Sequence, residues 1–441
     1  IGEEDTGLKT YGFGSYQDAA RAYGLTATTP EGVQRALMAA GPHKPNGKNL
    51  VFFQMESWSA EPFKYQSQDM DVLAGLSNKL HNAWLFDNFD AAHHGTHPAL
   101  EAILFNTPVT PITNGKYRHI MLDWGVPFAM KKAGYDTLFV TSGQSGWREL
   151  NRVLLTQSFD EVIDAATLRA RYPGAEGGIW GVWDAYMFRI IEERLAKQPK
   201  DRPLFVYAMS TTNHPPYELP SDYKPFVFDI NKWPGDKGSE HLIPNLQTYR
   251  YANDELAKFV AAVESSPAAK RTVVAATGDH NVRTFGQYAT PESQVLRQQV
   301  PFVVWGAGKL SCDNALHQAA SHLDMFPTLF PLLGIGQGYL MTGRDLAKCP
   351  SAADAADAMA VAMSAWRLGA GRAAPGNPVQ LGAGVHIHRR PGEPVAAGET
   401  LFTLYTDTAD RMPGALAELD GGWTVGDTAP GLGPLIIDRI G

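Results

Sequence analysis

The sequence predicts an α/β protein: a mostly parallel sheet sandwiched by helices, followed by a small β-rich module. Three observations predict it. Apolar runs of strand length recur through the first 350 residues, helical patterns separate them, and the composition changes after Pro350. Strands buried on both faces read as continuous apolar runs. Such runs alternating with helices point to a parallel sheet covered on each side.

Residues 1–48 carry short helical patterns. Thr29-Pro30-Glu31 reads as a helix start with Pro at the first helical position. Gly41-Pro42-His43-Lys44-Pro45-Asn46-Gly47 clusters breakers and marks a boundary. Residues 50–55 form the first strand run, which ends at Glu56. Further runs lie at 137–140, 204–209, 272–276 and 301–305, with helical patterns at 126–133, 183–195 and 251–263. The main domain is therefore expected over 49–350. Beyond it, 351–363 is alanine-rich and helical, and Leu368-Gly369-Ala370-Gly371-Arg372 breaks it. Short segments at 385–388 and 400–405, separated by the Pro391-Gly392 turn, make 351–441 a separate module.

At 441 residues the chain is too long for one ordinary core. A hydrophobic content of 44% and a charged content of 19% are those of a folded protein. The net charge of −8 and the lack of a basic run argue against nucleic acid as a partner. No run of 18 apolar residues is present, so no segment here spans a bilayer. The chain begins at Ile1 with no signal-like segment, as expected of a processed or truncated piece, and any anchor or targeting segment would lie outside it. Cys312 and Cys349 are either two independent thiols or one disulfide of an oxidising compartment.

Several expected strands end in polar groups that converge. The first ends in Glu56, the third is followed by Thr211-Thr212-Asn213-His214, and the fourth by Gly278-Asp279-His280. Ligands of open parallel sheets bind outside the carboxyl ends of the strands. Buried carboxylates beside an imidazole are costly unless a positive charge neutralises them, which a divalent cation does. Taken singly, each has a plainer reading: a capping Asp, a surface His, a strand-end Glu.

Thr96 lies in His93-His94-Gly95-Thr96-His97-Pro98, and Pro98 suits the first turn of a helix. A hydroxyl there sits at the positive end of the helix dipole, where backbone N–H groups hold phosphate. Metal coordination makes its alkoxide accessible. Alone, Thr96 is an ordinary helix-capping residue. Its conjunction with the candidate ligands makes it a candidate nucleophile.

Glu56, Gly95-Thr96 before a helix and Gly278-Asp279-His280 after a strand, in that order, resemble lipoteichoic acid synthases and related phosphoglycerol transferases of the sulfatase-like alkaline phosphatase superfamily. Asn213-His214-Pro215, Tyr251-Ala252-Asn253-Asp254-Glu255-Leu256 and His322-Leu323-Asp324-Met325-Phe326-Pro327-Thr328 extend the resemblance over about 49–348. It implies that Glu56, Thr96, Asp279 and His280 hold one divalent cation, Mn2+ or Mg2+, with Zn2+ also suited to His280. It implies that Thr96 attacks a phosphodiester and carries a covalent phospho-intermediate, and that His214 contacts the phosphate or the leaving group. Trp147 resembles an aromatic lining the head-group pocket, with a core Trp as the alternative. Arg148, or less favourably Arg152, supplies the forked cation a phosphate needs. His93, His94 and His97 are read as polar loop residues, with a general acid or second metal site as the alternative.

The resemblance further implies a phospholipid donor, a glycan or lipid acceptor, membrane association of the full-length protein and an extracytoplasmic site. Departures narrow it. Sulfatases place Cys or Ser in a Cys/Ser-x-Pro-x-Arg pattern, whereas this chain reads Thr96-His97-Pro98-Ala99-Leu100. Phosphoethanolamine transferases are richer in cysteine. The tail, through Trp366–Arg372, Gly382-Ala383-Gly384-Val385 and 391–402, resembles the C-terminal domain of thymidine and pyrimidine-nucleoside phosphorylases. That implies a barrel-sandwich without phosphorylase chemistry of its own. Hydrolysis with water as acceptor, and a non-catalytic binding protein on the same fold, are the competing readings.

Overall fold

The computed structural model describes residues 15, 29–115, 117–234, 237–282, 285, 296–310, 313–348, 358–370, 380, 383–388 and 395–420. Two compact units are drawn from residues 1–287 with 296–347, and from 288–295 with 348–441. Cys312 and Cys349 lie outside the described residues, as do residues 351–357, 371–379 and 389–394.

The first unit is built on a seven-stranded sheet. Its strands are β1 (Asn49–Met55), β2 (Trp84–Phe86), β3 (Asp136–Thr141), β4 (Glu161–Ile163), β5 (Leu204–Met209), β6 (Thr272–Gly278) and β7 (Phe302–Trp305). The spatial order is β2-β7-β6-β1-β5-β3-β4. Parallel pairing joins β6, β1, β5, β3 and β4. β7 is antiparallel to both β6 and β2. The sheet is therefore mixed, with one reversed strand in an otherwise parallel set. The apolar run at 301–305 carries no signal of direction, because a buried strand is apolar whichever way it runs. β2 and β4 are three residues long, too short to show a period.

Every residue of β1 is buried, and its side chains alternate between two cores. Val51, Phe53 and Met55 pack with Met187, Phe188 and Ile191 of helix Asp184–Lys197, and with Leu246 and Phe259 of helix Leu242–Ser265. Leu50 and Phe52 pack with Leu100, Ile103 and Leu104 of α1 (Thr96–Phe105), and with Phe326 and Leu329 of helix Met325–Leu332. A strand covered on both faces must be apolar throughout, which is why β1 reads as an unbroken run.

Helix Pro30–Leu37 starts on the Thr29 side chain, which accepts the Gly32 N–H at 3.1 Å. Met38–Ala40 pairs antiparallel with Gln337–Leu340, so this segment is hydrogen-bonded into the first unit. In the second unit, Gly384–Ile387 pairs antiparallel with Phe402–Tyr405, and helices Ala358–Ala365 and Met412–Leu419 pack together. A closed barrel-sandwich is not formed by the described residues of this unit, which supply one strand pair. Among the described residues, no helix is long and apolar enough to cross a membrane.

Candidate metal and phosphate site

The central position of β1 builds the site. β1 pairs with β6 on one side and β5 on the other, with Met55 opposite Gly278 and Gln54 opposite Met209. All three strands run the same way, so the residues after them emerge along one edge. Glu56 follows β1, Asp279 and His280 follow β6, and Thr211–His214 follow β5. Gly278 is required where β6 ends, because a Cβ there would overlap the carbonyl of Trp58.

Glu56, Asp279 and His280 bring one ligand atom each to within 4.8 Å of one another. His280 Nε2 lies 3.5 Å from Asp279 Oδ2 and 3.9 Å from Glu56 Oε1. Asp279 is wholly buried. Its Oδ1 accepts the N–H groups of Ser57 and His280, both at 2.8 Å. Its Oδ2 is buried and has no hydrogen-bond partner. Burial, and then the Asp279 carboxylate, push Glu56 well above the usual carboxylate range, against the Ser57 and Thr96 hydroxyls. Two crowded buried carboxylates, one with an orphan oxygen, suit a divalent cation, and the mixed oxygen and imidazole donor set fits one.

Thr96 is the first residue of α1, with Gly95 as its cap. Its Oγ1 donates to Glu56 Oε2 at 3.3 Å, and its carbonyl accepts Gln54 Nε2 at 3.0 Å. Gln54 is in turn held by the Tyr207 hydroxyl at 2.6 Å. The structure thus brings all four expected ligands together, although they span more than 220 residues of sequence. The first N–H groups of α1 have no side-chain cap, which leaves them available to a phosphate oxygen.

His214 is tied to the same edge. Asn213 Nδ2 donates to the Glu56 carbonyl at 3.1 Å. His214 Nδ1 lies 3.0 Å from the Pro215 carbonyl, and its ring centroid lies 4.1 Å from that of Trp180. A carbonyl only accepts, so Nδ1 carries a proton, which leaves Nε2 to take up or release one. Trp147 is 41% exposed and meets His97 edge-on at 5.7 Å. Arg148 is exposed and lies over the Trp147 ring at 5.3 Å. Arg152 points away to solvent, 73% exposed and 4.0 Å from Glu149.

The three histidines beside Thr96 divide. His94 is exposed beside Gln298. His93 is half-buried. His97 departs from the loop reading: it is buried in α1, with Nδ1 3.8 Å from Glu101 and Nε2 3.4 Å from Thr113 Oγ1. An (i, i+4) spacing on one helix face explains the pairing. Burial lowers the His97 pKa. Burial raises Glu101, but hydrogen bonds from Thr110, Thr113 and Ile112 outweigh it and leave the carboxyl below its ordinary value.

Two positioning residues are not among the expected site residues. Asp184, wholly buried, accepts Ser142 Oγ at 2.5 Å and the N–H groups of Thr211 and Thr212 at 2.9 and 3.2 Å. It fixes the loop that carries His214. His322 accepts the Ala92 N–H on Nδ1 at 3.3 Å and donates from Nε2 to the Gly278 carbonyl at 2.8 Å. It ties the Thr96 loop to the Asp279 loop, and burial pushes its pKa down to about 3. The His322–Thr328 motif was the one signal pointing to it.

Residues 48–335, well over half of the chain, match the sulfatase family. The chain belongs to the sulfatase family. Over 320 residues this sulfatase-family chain is 22% identical to a lipoteichoic acid synthase-like protein of Bacillus subtilis, covering 68% of the chain and 50% of that protein. An alkaline phosphatase superfamily structure from Vibrio parahaemolyticus shares its fold with a TM-score of 0.59, at 22% identity over 76% of this chain and 78% of the other. A lipoteichoic acid synthase structure from Listeria monocytogenes does so with 0.58, at 17% identity over 72% and 81%. Residues 352–426 match the pyrimidine nucleoside phosphorylase C-terminal domain. An 84-residue stretch is 64% identical to thymidine phosphorylase of Mycobacterium tuberculosis, covering 19% of this chain and 20% of that enzyme. The chain thus spans half the length of one curated relative and a fifth of the other.

Proposed function

We propose that the chain is a metal-dependent phosphotransferase that moves a phosphoglycerol-type group from a membrane phospholipid to a glycan or lipid acceptor, outside the cytoplasm. The observation that carries this reading is the Thr96 hydroxyl on Glu56 at 3.3 Å, at a helix N-terminus, with Glu56 itself clustered with Asp279 and His280. A binding protein has no use for a nucleophile placed there. The lipoteichoic acid synthase names of its relatives support that class of chemistry.

Glu56, Thr96, Asp279 and His280 would hold one divalent cation, Mn2+ in the first instance. When bound, the cation lowers the pKa of the threonine hydroxyl and offsets charge on the phosphate. In the first half-reaction Thr96 Oγ1 releases its proton to solvent and attacks phosphorus; its P–O bond forms as the bond to the lipid oxygen breaks. Protonated His214 gives its Nε2 proton to the departing oxygen. Backbone N–H groups of α1 and the Arg148 guanidinium hold the phosphate oxygens, and Trp147 lines the head group. In the second half-reaction an acceptor hydroxyl attacks phospho-Thr96 and returns a proton to His214 Nε2.

Water as the acceptor makes the same site a phosphodiesterase, and the shared first step favours neither outcome. The C-terminal unit is assigned packing or association, with the closed barrel-sandwich of its relatives as its proposed form. The deciding experiment is turnover of phosphatidylglycerol with and without Mn2+, with Thr96→Ala as control. Metal-dependent release that the variant loses supports the reading; equal activity in both proteins removes Thr96 from its role.

A further inference from the structure

A solvent-open depression of the first unit includes His214, whose neighbour Asn213 bonds the Glu56 carbonyl, but none of the expected metal ligands. Trp180, Ile179, Thr211, His214 and Glu218 line it, with an empty volume of about 250 Å³ open to solvent. That volume includes open solvent, so the site is a shallow surface against which one ring face or one glycerol unit can lie. Nothing in the chemistry described so far uses Trp180, Ile179 or Glu218.

Trp180 is held rigidly. Its Nε1 donates to the Pro215 carbonyl at 2.6 Å, and its ring packs on His214. The next residue, Gly181, bridges to Gly143, and a Cβ on Gly181 would overlap the Ser142 carbonyl. Arg169 also holds the Gly181 carbonyl at 3.0 Å. Trp180 nevertheless remains 42% exposed, and Ile179 beside it is 67% exposed. A fixed, exposed indole is a preorganised contact surface that loses little entropy when covered.

The charge of the pocket selects among ligands. Glu218 supplies a carboxylate, and among the described residues no lysine or arginine lines the pocket. A phosphate would be repelled there, whereas hydroxyl donors would be accepted. An apolar ring face with convergent acceptors suits the C–H face and hydroxyl rim of a polyol or sugar.

We infer that this pocket is the acceptor subsite, taking a neutral sugar or glycerol unit on Trp180 and presenting its hydroxyl to His214. The inference rests on the phosphotransfer reading above. The acceptor oxygen forms its bond to phosphorus as the bond to Thr96 Oγ1 breaks. The hydroxyl proton passes to His214 Nε2, and Thr96 Oγ1 takes up a proton from solvent in place of the one it released there.

The test offers phosphatidylglycerol, Mn2+ and either glycerol or a glucose disaccharide to the full chain, and counts transferred against hydrolysed head group by mass spectrometry. The parent protein is expected to give saturable transfer. Trp180→Ala and Glu218→Gln are each expected to cut the ratio of transfer to hydrolysis tenfold or more by raising the acceptor KM, and Trp180→Phe to stay within threefold of the parent. The subsite is overturned if both variants keep the parental ratio, if transfer and hydrolysis fall in proportion, or if the parent cleaves the donor without transferring. Each of those results leaves phospho-Thr96 chemistry standing. Unaltered cleavage by Thr96→Ala, or no cleavage at all, marks failure of the underlying reading and takes the subsite with it.

Discussion

Replacing Asp279 by Asn separates a metal ligand from a structural carboxylate. Oδ1 of Asp279 already accepts two backbone N–H groups, from Ser57 and His280, and an asparagine carbonyl keeps both. Oδ2 has no hydrogen-bond partner, and the carboxylate raises the pKa of Glu56 beside it. Without metal, the variant therefore removes a repulsion and no hydrogen bond, so it should melt at or above the temperature of the parent. With metal the order reverses. A cation that binds only the folded parent, at a hundred times its Kd, adds about 2.7 kcal/mol. At about 2.1 cal/mol/K of unfolding entropy per residue, a unit of roughly 300 residues melts about 4 °C higher for that gain. Thermal unfolding of both proteins, each with EDTA and with Mn2+, reads the difference. The parent should rise by about that amount and Asp279→Asn by much less. Equal rises in both proteins would refute the ligand assignment. A metal-free variant melting well below the parent would show that the charge itself holds the fold.

Other consequences can be measured on the same protein. Thr96→Ala should lose on the order of 10³ or more in turnover while keeping most of the Mn2+-dependent rise in melting temperature, which calorimetry and the phosphatidylglycerol assay check together. Asp184→Ala strands the buried N–H groups of Thr211 and Thr212 and should cost roughly 2–4 kcal/mol in denaturant unfolding, with a drop in kcat as the His214 loop loosens. His322 has a folded pKa of about 3 against about 6.5 unfolded, so the unfolded chain takes up a proton that the folded chain refuses as pH falls through that window. Its contribution to stability is present above pH 6.5 and should fall by about 2 kcal/mol between pH 7 and pH 5. His322→Gln should remove that part of the pH slope, and parallel slopes in the two proteins would contradict the assignment.

The residues show why some of this was legible in the sequence and some was not. β1, β5 and β6 were readable because strands covered on both faces must be continuously apolar, and that demand is local. Glu56, Thr96, Asp279 and His280 stood out because each breaks such a run or opens a helix with a residue that burial alone would not choose. The direction of β7 and the order of the strands were not legible, since hydrophobic period is blind to both. Nor was the burial of His97, which depends on the Thr110–Thr113 loop folding back onto Glu101.

By itself the sequence determined the class of the fold and offered the metal-ligand and nucleophile candidates, because each rests on a short local motif and on the order of those motifs along the chain. Tertiary structure alone decided what positions them. His322 reaches Ala92 across 230 positions and Gly278 across 44, and Asp184 reaches Thr211 across 27. A hydrogen bond acts only between groups about 3 Å apart, so a buried polar residue acquires its role from the neighbours the fold brings to it, and no local pattern records them.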